Sequence, residues 1–189
     1  MSDIKICGLS TVHTIFIDRD GVINQKLEGD NPYVTDWKKF RFLPGALKGI
    51  RMLNEVSKRI IVVTNQRGIA LDLMTESDLI NIHRKMEDEI VSYGGRLDGI
   101  YHCPHDLGQC HCRKPSSGLF EKARNDFPDI DYSTSIVVGD SAVDLQAACT
   151  IRAKPVLIST RPEWPDIFAQ FSSTQREEPL VYPSLQSFA

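Results

Sequence analysis

The chain has 189 residues, 41% of them hydrophobic and 25% charged, enough for one ordinary domain with a substantial core. That balance excludes a coiled coil, a collagen-like chain and a wholly disordered chain, and no apolar run is long enough for a helical membrane span. A formal net charge of −3 and a pI near 5.9 provide no general positive field for a polyanion such as DNA, though a small basic pocket for a small anion stays compatible with them.

The first predicted element is a short β-branched run, VHTIFI at residues 12–17, which stops abruptly at Asp18 as a buried strand stops at a polar edge. Residues 24–39 are polar and turn-rich and read as an exposed loop. Pro44 is placed to open a helix, and Leu47, Ile50, Leu53 and Val56 then recur at helical spacing. A second strand, RIIVV at 59–63, ends at Thr64. Thr75, with Asp78 three residues on, reads as a capping box ahead of a helix whose apolar face is Leu79, Ile82, Met86 and Ile90. Gly94 and Gly95 close it.

Ile100 and Tyr101 suggest a third strand, residues 116–126 a helix opened by Pro115, and residues 135–138 a fourth strand running into Gly139-Asp140. Residues 140–149 read as helix and 156–158 as a fifth strand. From Arg161 onward, Pro162, Pro165, Pro179 and Pro183 break every pattern, so 161–189 reads as a less regular tail packed on the domain. Strands alternating with helices at this spacing predict an α/β fold: one open, mostly parallel, Rossmann-like sheet with helices on both faces, in a single domain spanning 1–189. The start of the chain lacks a basic region followed by a long apolar run, so a cytoplasmic location is expected.

Chemistry concentrates at the strand ends, where α/β sheets bind ligands. In FIDRDGVIN (16–24), Asp18 and Asp20 flank Arg19 directly after the first strand, with Gly21 permitting a tight turn. Two carboxylates there can share a hard cation such as Mg2+, one attacking phosphorus while the other handles a proton. Thr64 and the backbone of Asn65 and Gln66 can donate to phosphoryl oxygens. Lys114 can neutralise a phosphate, and Arg113 can form a two-pronged contact to phosphate or carboxylate. Asp140 could complete a magnesium shell with Asp18, while Asp144, one helical turn later, could hold the loop, a water or Lys114. Separately each piece has an ordinary reading as a capped turn or a solvated charge.

Together they resemble the haloacid dehalogenase superfamily of aspartate-nucleophile phosphatases: DRDG, then Thr64, then Lys114, then the GDxxxD at 139–144. The resemblance implies that Asp18 is the nucleophile and Asp20 the general acid and base. It also implies that Thr64 and Lys114 hold the transferring phosphoryl group. Mg2+ would lie between the Asp18 carboxylate, the Asp20 main-chain carbonyl and Asp140.

Three of the five cysteines fall within ten residues, in CPHDLGQCHC at 103–112. Cys103, His105, Cys110 and Cys112 suit a tetrahedral structural zinc site that would pin the loop carrying Arg113 and Lys114. His102 and His111 are less convenient alternatives, His13 and His83 read as ordinary strand and helix residues, and Cys7 and Cys149 as unliganded thiols. With TNQRGIA (64–70), CPH (103–105) and CHCRKP (110–115), the zinc loop narrows the resemblance to heptose-1,7-bisphosphate 7-phosphatases and the related histidinol-phosphate phosphatases. No insertion is large enough for a bulky cap domain. Residues 31–35 and 42–45 resemble the heptose branch. The short Cys–His gap resembles the histidinol branch, whose cationic substrate would favour a carboxylate such as Glu28, Asp30 or Asp36.

The preferred reading is hydrolysis of the 7-phosphate in nucleotide-activated heptose and lipopolysaccharide biosynthesis, with Arg67 and Arg113 facing the rest of the sugar phosphate. Histidinol-phosphate hydrolysis is the alternative, and a polynucleotide 3′-phosphatase or a non-catalytic zinc-stabilised binding module the remaining ones. The expected partner is a small phosphorylated metabolite, with no nucleic acid or membrane, and the expected state is a monomer.

Overall fold

The computed structural model describes residues 12–29, 32–160 and 179–189. Cys7, Asp30, Asn31 and the tail prolines at 162 and 165 lie outside the described residues. Six parallel strands form one sheet in the order β3-β2-β1-β4-β5-β6: β1 Val12–Ile17, β2 Ser57–Asn65, β3 Gly99–Cys103, β4 Ser135–Gly139, β5 Lys154–Ile158 and β6 Leu180–Tyr182. Among the described residues, four helices connect β1 through β5: α1 Ala46–Val56, α2 Glu76–Ser92, α3 Gly118–Asp126 and α4 Ala142–Thr150. A last helical turn, Leu185–Phe188, follows β6.

The strand alternation sorts the core into two layers. Ile15, Ile17, Ile60, Val62, Ile136 and Val138 face α1, α2 and the terminal turn, whose Ile50, Leu53, Ile82, Met86, Leu185 and Phe188 cover them. Phe16, Ile61, Val63 and Val137 face the other way, onto Leu119, Phe120 and Ala123 of α3 and Ala147 and Ala148 of α4. Because both faces are covered there, the inner strands β1, β2, β4 and β5 carry continuous apolar runs, as buried parallel strands do. Chain order reverses between β1 and β4, which opens a crevice at their carboxyl ends.

Several details differ from the sequence expectations. α1 starts at Ala46, after Gly45 in the left-handed region, so Pro44 precedes the helix without opening it. Likewise α3 begins at Gly118, and Pro115, joined to Lys114 by a cis peptide bond, sits in the turn before it. α4 begins at Ala142 with Ser141, not Asp140, as its first flanking residue, which frees the Asp140 carboxylate for the crevice.

The segment after Gly21 is not a plain exposed loop. Asn24 bridges to Phe42, and Trp37, Phe40 and Phe42 cluster with ring centroids 4.9–6.4 Å apart beside buried Val34. β5 begins before its proline: Pro155 pairs with Val137 on one side only, because β6 joins from Val156 onward. Of the tail read at 161–189, the described residues are 179–189. Its described part contains an edge strand and a helical turn with Leu185 and Phe188 buried. The capping box at Thr75 and Asp78 is present in both directions.

Candidate active site

Asp18 leaves β1 into the crevice, where its main-chain N–H donates to the Val138 carbonyl at 2.9 Å. Two short-range devices bring the opposite carboxylates close. Gly21 has φ +92°, and a Cβ there would stand 2.0 Å from Asp140 Oδ2; a Cβ on Gly139 would stand 2.0 Å from the Asp144 Cβ. Oxygens of Asp18, Asp140 and Asp144 consequently lie within 4.8 Å of one another. Burial, with Asp144, Asp140 and Asp20 nearby, pushes the Asp18 carboxyl up to about 7 even though Lys114 opposes the rise. Burial also raises Asp140.

Cations answer this charge. Lys114 is 3% exposed, and its Nζ lies 3.0 Å from Asp18 Oδ1, 2.7 Å from Asp144 Oδ1 and 2.7 Å from the Val63 carbonyl. Although burial works against the charge, Asp144 and Asp18 raise the Lys114 pKa, so the ammonium is retained. Asp144 is held ionised in return by Lys114 and by the Ser141 hydroxyl, which donates at 2.5 Å. Asp144 thus fastens the lysine; of the three roles read for it, this is the one its contacts fill. On the open side, Lys26 Nζ rests 2.7 Å from Asp140 Oδ2.

Asp20 belongs to a different environment from Asp18. Its carboxylate turns away from the carboxylate trio and accepts from Arg19 Nη2 at 2.9 and 3.0 Å, Asn24 Nδ2 at 2.9 Å and Gln66 Nε2 at 2.8 Å. Burial opposes ionisation, but the Arg19 charge and these donors win, and the pKa falls below the ordinary carboxylate value. Two aspartates two residues apart are thereby pushed in opposite directions.

The structure collects Asp18, Asp20, Thr64, Lys114, Asp140 and Asp144 around one crevice. It gives the other named residues different company. Asn65 clamps the lysine: its Oδ1 accepts from the Lys114 N–H at 3.0 Å and its Nδ2 donates to the Lys114 carbonyl at 3.1 Å. The Gln66 amide links Asp20 to the Thr64 hydroxyl, 2.9 Å away. Arg67 Nε donates to Asp106, tying this loop to the cysteine segment. Arg113 keeps a buried Nη1 without a hydrogen-bond partner.

The cysteine segment is also assembled. Cys103, Cys110 and Cys112 sulfurs and His105 Nδ1 stand at the corners of a small polyhedron with edges of 3.5 Å (Cys103–Cys110), 3.4 Å (Cys110–Cys112), 3.6 Å (Cys103–His105) and 3.3 Å (Cys112–His105). A tetrahedral metal with sulfur ligands at about 2.3 Å has ligand–ligand edges of roughly 3.7 Å, so the donor set fits a tetrahedral cation. His102 instead meets Glu76 at 2.5 Å.

Four residues of the site had no assigned role in the sequence reading: Arg19, Asn24, Lys26 and His83. Arg19 had a signal, a cation set between two aspartates at the strand end, and its Nη2 meets the Asp20 carboxylate. His83, taken as an ordinary helix residue, is 6% exposed and lies 3.2 Å from Arg19 Nη1. Nothing local marks Lys26, whose partner is 114 residues away.

This constellation on this sheet order defines a phosphatase of the haloacid dehalogenase superfamily, and comparison with known proteins agrees. The family model described as polynucleotide kinase 3 phosphatase matches residues 14–156. The chain is 43% identical over 140 residues to a D-glycero-α-D-manno-heptose-1,7-bisphosphate 7-phosphatase of Mycobacterium tuberculosis, covering 74% of this chain and 73% of that protein. It is 40% identical over 142 residues to the D-glycero-β-D-manno-heptose-1,7-bisphosphate 7-phosphatase of Vibrio cholerae, covering 71% and 74%. Among solved structures, the D,D-heptose 1,7-bisphosphate phosphatase from B. bronchiseptica, crystallised with magnesium and phosphate, superposes with a TM-score of 0.80 at 33% identity, covering 93% of this chain and 95% of that one. The chain belongs to the superfamily's phosphatases, in the group closely related to the heptose-1,7-bisphosphate 7-phosphatases. No helix among the described residues is long and apolar enough to cross a membrane.

Proposed function

We propose that this chain removes the 7-phosphate of D-glycero-D-manno-heptose 1,7-bisphosphate in a Mg2+-dependent reaction through an aspartyl-phosphate on Asp18. The observation that carries the chemistry is the division of labour between two aspartates. Asp18 sits 3.0 Å from a buried lysine ammonium, and Asp20 is held beside it by three donor side chains.

Asp18 attacks phosphorus while Lys114 offsets the repulsion between its carboxylate and the incoming phosphate. Thr64 and Lys114 hold phosphoryl oxygens. Asp20 donates a proton to the leaving alkoxide and later takes one from the attacking water. The lowered pKa of Asp20 suits the second task; a substrate phosphate placed nearby would raise it by like-charge repulsion and favour the protonated form needed for the first.

The residues fit Mg2+: a glycine cradle holds Asp140 against the turn that carries Asp18, and hard carboxylate oxygens converge there. The ion would be held by Asp18, Asp140 and the Asp20 main-chain carbonyl, and when bound supplies positive charge to the phosphoryl oxygens. Zn2+ in the Cys103, His105, Cys110 and Cys112 site would be structural, since four protein ligands leave no open position. It would fix the loop that carries Arg113, whose side chain we assign to the distal part of the substrate.

The sugar assignment rests on the similarity to the mycobacterial and Vibrio phosphatases, whose names differ in the anomer. The test is kcat/KM measured side by side on both anomers of heptose 1,7-bisphosphate, on histidinol phosphate and on a 3′-phosphorylated oligonucleotide. The proposal expects one heptose anomer to lead by at least about tenfold, the equivalent of 1.4 kcal/mol in transition-state binding. A lead of that size for histidinol phosphate or the oligonucleotide would overturn the substrate and leave the aspartate chemistry standing.

A further inference from the structure

His83 occupies the sheet-facing stripe of α2, in step with Leu79, Met86 and Ile90, where an apolar residue would be the simplest choice. A buried imidazole needs partners for its ring nitrogens. Its Nε2 lies 3.2 Å from Arg19 Nη1. A guanidinium has donors only, so Nε2 accepts and the ring is neutral with its proton on Nδ1. Burial, then the Arg19 charge and His102, agree with this by holding the ring pKa down to about 3.

Arg19 is itself fully buried, and its Nε has no hydrogen-bond partner. The guanidinium is therefore oriented by two contacts: Nη1 on His83 and Nη2 forked across both oxygens of Asp20. Removing the acceptor on α2 would leave Nη1 orphaned on a fully buried side chain, and a tilt that repartners it would disturb the fork on Asp20. Asn24 and Gln66 would still hold the carboxylate, but without its third donor and its fixed plane.

We infer that His83 is a positioning residue for proton transfer: it fixes Arg19, and through Arg19 the direction in which Asp20 faces the reacting oxygen. The inference rests on the reading of Asp20 as general acid. It predicts a leaving-group signature that general destabilisation would not give. A primary alkyl phosphate needs its leaving oxygen protonated, whereas an aryl phosphate needs this much less. Because kcat/KM covers only the steps up to phosphoryl transfer, the later hydrolysis of the enzyme phosphate does not mask the effect.

The experiment measures kcat/KM on glucose 6-phosphate and on 4-nitrophenyl phosphate for wild type, Asp20→Asn, His83→Leu, His83→Asn and His83→Gln, with circular dichroism confirming folding. A glutamine oxygen reaches the place of Nε2, and an asparagine oxygen falls short of it. With general acid catalysis worth about a hundredfold or more, H83L and H83N should lose roughly tenfold to a hundredfold on the alkyl ester, about threefold or less on the aryl ester, and H83Q about threefold or less on both. If H83L does not fold, the contrast between H83Q and H83N carries the test. Equal losses on the two esters, or H83Q as impaired as H83N, would overturn the role of His83. D20N separates the two levels: without a leaving-group signature in D20N the acid reading fails and this inference with it, whereas a signature in D20N alone refutes only the inference.

Discussion

The aspartate crevice and the cysteine–histidine cluster lie next to each other, yet they are built on opposite plans. The crevice draws Asp18 from the end of β1, Thr64 from β2, Asp140 from the end of β4 and Lys114 from a loop. Only the parallel sheet brings these distant positions together. The cluster draws all four of its candidate ligands from ten consecutive residues, and two of its cysteines are partly exposed. In the crevice, charge is buried and every cation has an anionic partner; Asp18 rises to about 7 and Lys114 is held charged. In the cluster, sulfurs crowd one another. Although burial opposes it, the Arg113 N–H and the neighbouring thiols lower Cys110 to about 6, whereas burial together with Cys103 and Cys110 drives Cys112 up to about 12. A site made by topology keeps its geometry from the fold. A site made by one loop has less of the fold to hold it, and the zinc proposed for it would supply that constraint.

The difference can be broken at either end. The largest effect belongs to the proposed nucleophile: Asp18→Asn should lower kcat by at least about a thousandfold. Its circular dichroism spectrum should match wild type, because the sheet and not the carboxylate holds the crevice. Steady-state assays, with mass spectrometry excluding deamidation, check this.

Next is Cys110→Ser. Wild type purified without chelator should contain about one equivalent of zinc by elemental analysis, and the variant well under half. The variant's Tm should fall by about 5–10 °C, matching a loss of several kcal/mol in a chain this size. A zinc-selective chelator should lower the wild-type Tm and leave C110S unmoved, while Mg2+ withdrawal should stop turnover in both. If zinc loss abolished activity with no change in Tm, the cluster would be catalytic and the comparison wrong.

A smaller effect should follow at the seam between the two regions. Asn65→Ala removes both hydrogen bonds that clamp the Lys114 backbone, a loss of about 2 kcal/mol in stability read by denaturant melts. Activity should fall with it, since the lysine is the crevice's main cation. Smallest of all is Asp129→Asn, far from both sites, where Lys58 and Arg59 meet an exposed carboxylate. Solvent screens such pairs, so Tm should stay within about 2 °C and kcat/KM unchanged.

How much of this was legible depends on whether the signal was local. β1, β2 and β4 announced themselves as apolar runs ending at Asp18, Thr64 and Gly139-Asp140, β3 only through Ile100 and Tyr101, and the capping box at Thr75 was readable from two residues. β6 was not: three residues between Pro179 and Pro183 carry no period of their own, and they become a strand only because β5 offers an edge. The candidate ligands and the aspartate pair were legible as short motifs. The internal duties of Asn65 and Gln66 were not, because a polar residue at a strand end looks the same whether it meets substrate or the lysine's backbone. His83 stood in an apolar stripe at the right spacing, a visible oddity whose partner, 64 residues upstream, only the fold supplies.

The central claim is that Asp18 carries the phosphoryl group. Mixing enzyme with Mg2+ and a substrate labelled in its transferable phosphate, then quenching in acid within one turnover, reads it directly. The account predicts protein-bound label that hydroxylamine releases, as it does from an acyl phosphate, mapping to the peptide that contains Asp18 and absent from D18N. Rapid turnover with no labelled protein at any quench time, or label on a peptide without Asp18, would contradict it.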